Sequence, residues 1–171
     1  SLDDFSQVKA NGKIAIRLDD DDNLVGVATC SEDDDVLLAA HGGKCIRFPV
    51  TAVRVFKSRT SDGVRGINLG KDDRVLSMSV VRHEKIEVEE RDAYLRWSNA
   101  NRRGEDLSDT GLSPERLAEI AEREEFILSV TENGFGKRTS AYEYRIAGRG
   151  GQGIINIETS DRNGGVIAAF T

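Results

Sequence analysis

Very little in this 171-residue chain can build a covalent framework or a metal centre: two cysteines, two histidines, two prolines, one methionine and one tryptophan. Cys30 and Cys45, with His41 and His83, match neither the count nor the spacing of a familiar structural zinc site or disulfide scaffold, so both cysteines read as ordinary thiols. No apolar stretch approaches the roughly 18 to 20 residues needed to cross a bilayer. Ser1-Leu2-Asp3-Asp4 has neither the basic nor the apolar region of a secretory leader. The expectation is a cytoplasmic protein with no membrane partner, and the absence of an initial methionine suggests an excised fragment. Basic charge is also in deficit. The net charge of −6 argues at first against nucleic acid, because phosphate binding rests on clustered Lys and Arg that release counterions.

The average hides a segregation. From His83 to Glu124 there are 12 acids against 7 bases, and removing that segment leaves 18 acids against 17 bases. Residues 44–65 then carry Lys44, Arg47, Arg54, Lys57, Arg59 and Arg65 against Asp62 alone. Residues 134–153 carry Lys137, Arg138, Arg145 and Arg149 against Glu143.

An internal repeat underlies this pattern. Gly12-Lys13-Ile14-Ala15-Ile16-Arg17-Leu18 followed by Leu24-Val25-Gly26-Val27 returns 51 residues later as Gly63-Val64-Arg65-Gly66-Ile67-Asn68-Leu69 and Val75-Leu76-Ser77-Met78. A looser copy is Gly150 to Asn156 with Val166-Ile167-Ala168-Ala169. Val36 to Ala40 leading to Gly43-Lys44-Cys45-Ile46-Arg47-Phe48 returns at an offset of 91 as Ile127 to Val130 leading to Gly134-Phe135-Gly136-Lys137-Arg138-Thr139. An insertion of about 40 residues reconciles the two offsets. Short Val, Ile, Leu and Phe runs bounded by Gly, Asp and Asn turns are β structure, and a period near 50 with four strands is the scale of a propeller blade. The reading is an all-β fold of antiparallel four-stranded blades, about two and a half of them over 1–171.

The insertion at 84–124 differs in texture. Residues 88–103 are charged, free of Gly and Pro, and hold the cluster Ala93, Tyr94, Leu95, Trp97; Ser113-Pro114-Glu115 places an N-cap, a proline at the first helical position and an acid in the first turn. Leu112, Leu117, Ile120 and Ala121 give the second helix one apolar stripe. A helical hairpin hung on the blades is expected there, packed around Trp97.

Several motifs invite chemistry, and none carries it. Gly134-Phe135-Gly136-Lys137-Arg138-Thr139 lacks the glycine spacing of a nucleotide loop and has Arg where Ser or Thr follows Lys. Asp19 to Asp22, Asp33 to Asp35 and Asp72-Asp73 sit where tight turns are expected. His41 and His83 have no partner in sequence, and Tyr94, Tyr142 and Tyr144 are not distinguishable from packing residues. In Gly148-Arg149-Gly150-Gly151-Gln152-Gly153, Gly150, Gly151 and Gly153 would let backbone approach a phosphate while Arg149 supplies a forked donor. Lys44 and Arg47 are read as occupying the blade position of Lys137 and Arg138, so that basic spots recur around the assembly. A curved row of such spots suits DNA bending by phosphate contact.

Gly43 to Phe48, Ser58 to Ile67, Thr131 to Thr139 and Tyr144 to Gly153 resemble, in order and spacing, the C-terminal β-pinwheel domain of DNA gyrase A. The resemblance covers 3–82 and 125–171, and the insertion looks like one found in alphaproteobacterial gyrases. It implies a nucleoid-associated module that wraps double-stranded DNA without catalytic residues or a cofactor of its own. Within the A2B2 enzyme, ATP and Mg would be used by other parts, with hydrolysis on gyrase B, to introduce negative supercoils as an isomerase. The family's box close to Gln-Arg-Arg-Gly-Gly-Lys-Gly is missing, which suggests a start after the first blade. Rival readings are the homologous topoisomerase IV domain and a propeller-type protein-interaction module, which would bind protein without salt dependence. Two expectations follow from the repeat: Lys44 and Lys137 should share a blade face, and alanine at Lys137 and Arg138 together should lower the salt slope of DNA binding by about 2.

Overall fold

The computed structural model describes residues 2–7, 10–56 and 61–171. Among these residues, seven strands form two antiparallel sheets. In the first, β1 (Asp34–Ala40), β2 (Lys44–Pro49), β3 (Val75–Arg82) and β6 (Ile154–Ile155) lie in the order β3-β1-β2-β6. In the second, β4 (Phe126–Thr131), β5 (Gly136–Ser140) and β7 (Val166–Phe170) lie in the order β5-β4-β7.

The two sheets repeat residue for residue at an offset of 91. Leu37↔Arg47 and Ala39↔Cys45 in the first hairpin become Leu128↔Arg138 and Val130↔Gly136 in the second. The irregularity between Ala39 and Ala40 recurs between Val130 and Thr131. A 3-10 turn follows each hairpin, Val50–Ala52 and Ala141–Glu143. Local chemistry explains the hairpins: glycine takes a left-handed conformation at Gly43 (φ 86) and Gly134 (φ 80), which a side chain would resist.

Two features depart from contiguous four-stranded blades. The fourth strand of the first sheet, β6, follows β5 in sequence yet pairs with β2 through Lys44↔Ile155 and Cys45↔Ile154, so it is exchanged between repeats. The second sheet has three strands among the described residues, and the copies at 12–27 and 63–69 form no strand. Their pattern of apolar residues is correct for a strand, but a continuous ladder of backbone partners is what makes one, and among the described residues these segments show only isolated bonds, such as the Asn68 N–H to the Gly151 carbonyl at 2.8 Å and the Arg17 N–H to the Ser61 carbonyl at 3.2 Å.

The sheets meet face to face. Leu37, Ala39, Cys45 and Val81 of the first pack on Ile127, Tyr144 and Ala169; the opposite face of β2 buries Ile46 and Phe48 with Ile67. Helices α1 (Val88–Arg102) and α2 (Pro114–Glu122) occupy the insertion, and the Ser113 side chain caps α2 by accepting from the Arg116 N–H at 3.2 Å. Tyr94, Leu117 and Ile120 close over Tyr142, so the hairpin is anchored on the turn after β5, with Trp97 at the edge of that cluster.

Burial pushes the Cys45 thiol up to about 12, while Cys30 is exposed. Since the thiolate is the reacting form, maleimide at pH 7.5 should label Cys30 readily and Cys45 only in denaturant. Equal rates for both, read by mass spectrometry, would contradict a closed seam between the sheets.

Candidate nucleic-acid interface

The segment from Tyr144 to Asn156 crosses from the second sheet to the edge of the first and organises most of the basic residues. It meets β2 at Arg47↔Ile146, where the Ala147 N–H donates to the Arg47 carbonyl at 2.8 Å, and again at β6. Beneath it, the buried Tyr144 hydroxyl donates to Asn156 Oδ1 at 2.6 Å, and Asn156 Nδ2 donates to Ser129 Oγ at 2.7 Å. Burial pushes the Tyr144 phenol up to about 12, which keeps it a neutral donor at physiological pH.

Arg149 holds the outer turn of this segment. Its Nε donates to the Ala52 carbonyl at 3.1 Å and its Nη1 to the Arg65 carbonyl, which gathers Arg54 and Arg65 around the same loop. Arg54, Arg65 and Arg145 are exposed, Arg54 with its guanidinium 4.7 Å over the Phe56 ring. Lys44 is half-buried opposite Ile155, and Lys137 Nζ donates to the next carbonyl, Asn156, at 2.9 Å. Both lysines lie on the same face of their blades, because Lys44 shares strand parity with Ile46, and Ile46 and Lys137 are register equivalents. Lys57 and Arg59 fall outside the described residues.

Three sequence expectations need correction. Arg47 is 4% exposed and belongs to the interior: Nε donates to Asp35 Oδ2 at 2.8 Å, Nη1 to the Ala141 carbonyl at 2.7 Å and Nη2 to the Arg82 carbonyl at 2.8 Å. Every arm of the fork is used, so it is withdrawn from the rim. The glycines of the 148–153 loop approach protein backbone: a Cβ on Gly153 would collide with the Cys45 carbonyl, and the Gly150 N–H already donates to Gly66 O at 2.7 Å. Gly151, whose carbonyl accepts from the Asn68 N–H at 2.8 Å, belongs to the same contact. Finally, Lys44 and Arg47 do not coincide with Lys137 and Arg138; at an offset of 91 Lys44 corresponds to Phe135, and only Arg47 and Arg138 match.

The electrostatics differ between the insertion and the crossing segment. Of the seven bases of the insertion, four are neutralised by acids within 4 Å: Arg91 by Asp92, Arg103 by Glu105, Arg116 by Glu90 and Glu119, and Arg123 by Glu84. Lys44, Arg54, Arg65, Lys137, Arg145 and Arg149 have no acid at that distance among the described residues. The same holds for Arg162, which sits 5.0 Å over the exposed Phe135 ring. Sequence reading passed over Arg162 because 27 residues separate it from that ring. No group of three His, Cys, Asp or Glu suited to a metal occurs among the described residues, and no helix there is long and apolar enough to cross a membrane.

Residues 1–31, 34–82 and 125–171 match the family model described as the DNA gyrase C-terminal domain, a beta-propeller, leaving out the helical segment between β3 and β4. The chain belongs to this family. Among its relatives, the DNA gyrase A sequence of Granulibacter bethesdensis is 50% identical over 98% of this chain and 20% of its own length. That of Rickettsia bellii is 54% identical over 98% and 19%, and that of Staphylococcus aureus 33% identical over 100% and 15%. The chain thus spans a fifth or less of the length of these relatives. The crystal structure of the C-terminal domain of DNA topoisomerase IV superposes with a TM-score of 0.58 at 19% identity, covering 89% of this chain and 35% of that one, and shows the shared fold. The gyrase domain seen here is therefore mostly antiparallel β, of the propeller class, with a helical insertion between β3 and β4.

Proposed function

We propose that this chain is a non-catalytic DNA-binding and DNA-wrapping part of DNA gyrase A. It serves a cytoplasmic, nucleoid-associated type II topoisomerase that works with gyrase B in an A2B2 enzyme and introduces negative supercoils using ATP. Its duplex contacts are Lys44, Arg54, Arg65, Lys137, Arg145 and Arg149, made to phosphates without base readout. The observation that carries the reading is the charge division: bases along the 144–156 crossing segment lack acidic partners, while most bases of the insertion have them. Unneutralised bases at an edge are what counterion release exploits, and the acidic insertion would repel the same duplex from its own end of the blades.

Arg54→Ala, Arg65→Ala and Arg145→Ala combined should reduce the log-affinity versus log-salt slope by about 3 and weaken binding equally for unrelated duplexes. Folding should hardly respond, since exposed charges contribute little. An unchanged slope, or a loss restricted to one DNA sequence, would return the chain to the protein-interaction reading.

A further inference from the structure

Asn156 lies where the crossing segment, the first sheet and the second sheet come together. It is 5% exposed, and each of its four polar groups is taken by a different element. Its N–H donates to the Gly43 carbonyl, in the turn between β1 and β2, at 2.9 Å. Oδ1 accepts from the Tyr144 hydroxyl, at the start of the crossing segment, at 2.6 Å, and Nδ2 donates to Ser129 Oγ of β4 at 2.7 Å. Its carbonyl accepts from Lys137 Nζ of β5 at 2.9 Å. Ser129 and Tyr144 are themselves buried, so water is a poor substitute for these partners, and an amide left there without them is unfavourable.

Three of the bases without an acid within 4 Å among the described residues are joined to this point by one step of chain, one strand pairing or one bond. Arg145 follows Tyr144 directly. Lys44 pairs with Ile155, the residue before Asn156. Lys137 is bonded to the Asn156 carbonyl through one N–H of its ammonium, which leaves two for an acceptor outside the protein. These bases belong to the crossing segment, the first sheet and the second sheet in turn, and the Asn156 side chain ties the first of these elements to the third. Arg138 stands apart. Strand alternation turns it to the other face of β5, where its guanidinium lies 4.0 Å over the Phe126 ring, so the adjacent pair read from the sequence does not face one ligand.

We infer that Asn156 is a positioning residue for duplex binding: its side chain fixes Arg145, Lys44 and Lys137 relative to one another, so that phosphates of one duplex meet all three at once. Asn156 itself touches no phosphate. The inference rests on the phosphate-binding reading of those three bases. Counterion release counts only the bases that reach phosphates in the same bound state, and a base on a loose segment must be ordered on binding, which weakens association. An amide suits this joint because it offers an acceptor and a donor on separate atoms of one short side chain, which neither a carboxylate nor a hydroxyl does.

The salt slope of duplex binding and hydrogen exchange test this on the whole gyrase A polypeptide that carries the segment. Asn156→Ala removes no charge, yet it should lower the log-affinity versus log-salt slope by about 2 and raise exchange over 144–156 about tenfold while β1 and β4 stay as they were. Lys44→Ala, Lys137→Ala and Arg145→Ala combined should lower the slope by about 3, and adding Asn156→Ala to the three should lower it no further. Tyr144→Phe keeps the ring in the seam and removes only the hydroxyl, and it should lower the slope by about 1; it decides the matter if Asn156→Ala fails to fold. An unchanged slope in Tyr144→Phe and in folded Asn156→Ala, with the triple variant down by about 3, overturns the inference and leaves the phosphate reading standing. An unchanged slope in the triple variant removes that reading and the inference with it. Exchange raised equally over β1, β4 and 144–156 with the slope intact makes Asn156 a folding residue only, which also overturns the inference.

Discussion

Arg47→Ala should destabilise the chain by about 3–5 kcal/mol, the range for removing one partner of a buried ion pair. The substitution leaves Asp35, which is fully buried, with the His83 ring at 2.7 Å as its remaining side-chain partner among the described residues. It also frees the Ala141 and Arg82 carbonyls that the fork had satisfied from both sheets. Desolvation of the orphaned carboxylate dominates, because the lost hydrogen bonds are each worth only about 1 kcal/mol net. Replacing both members, Arg47→Met with Asp35→Leu, should recover most of the loss, as buried pairs are often no better than apolar residues of similar volume. Urea denaturation of the three proteins tests this, and the salt slope of DNA binding at denaturant-free conditions should be the same in all. A cost below about 1 kcal/mol for Arg47→Ala, or a lowered slope with stability intact, would put Arg47 back on the surface.

The helical segment should respond almost as strongly to Tyr94→Ala, by about 3–5 kcal/mol on the scale of aromatic-to-alanine core substitutions. Tyr94 is 1% exposed, meets Trp97 at 5.8 Å and Tyr142 edge-on at 5.7 Å between ring centroids, and donates its hydroxyl to Glu124 at 2.8 Å. The substitution removes the centre of a small cluster and leaves the second oxygen of Glu124, already buried without a partner, in company with the first. Because the insertion packs on the blades through Tyr142, whose hydroxyl also donates to the Ile120 carbonyl at 3.0 Å, the loss should appear as helix melting ahead of the β transition. Circular dichroism at 222 nm with exchange over β4 and β5 reads the two separately. Simultaneous loss of both would mean that the helices are part of the blade core.

Much of this protein follows from short-range chemistry that one sequence displays. The glycines at 43 and 134 mark the hairpins because only a residue without a Cβ enters their turns freely, and Ser113 with Pro114 marks the start of α2 because a cap and a preset φ act within one helical turn. The repeat, the blade-type strands and the segregation of acid into 83–124 are likewise properties of neighbouring residues. The basic edge was legible as composition, and Arg54, Arg65 and Arg145 do lie exposed where that composition put them.

Partner choice was settled only in three dimensions. That Ile154 and Ile155 leave their own repeat to pair with Lys44 and Cys45 depends on which sheet edge lies nearest after folding, and no local propensity encodes it. The glycines of the 148–153 loop have the composition of a phosphate cradle, yet what stands opposite Gly153 is the Cys45 carbonyl, over 100 residues upstream. Arg47 shows the same limit most plainly. A period of two assigns its face but not what covers that face, so an arginine flanked by Ile46 and Phe48 reads as rim charge until the second sheet closes over it and Asp35 meets its guanidinium. Tertiary packing decides such a residue because the cost of burying a charge is set by distant groups that either pair with it or fail to.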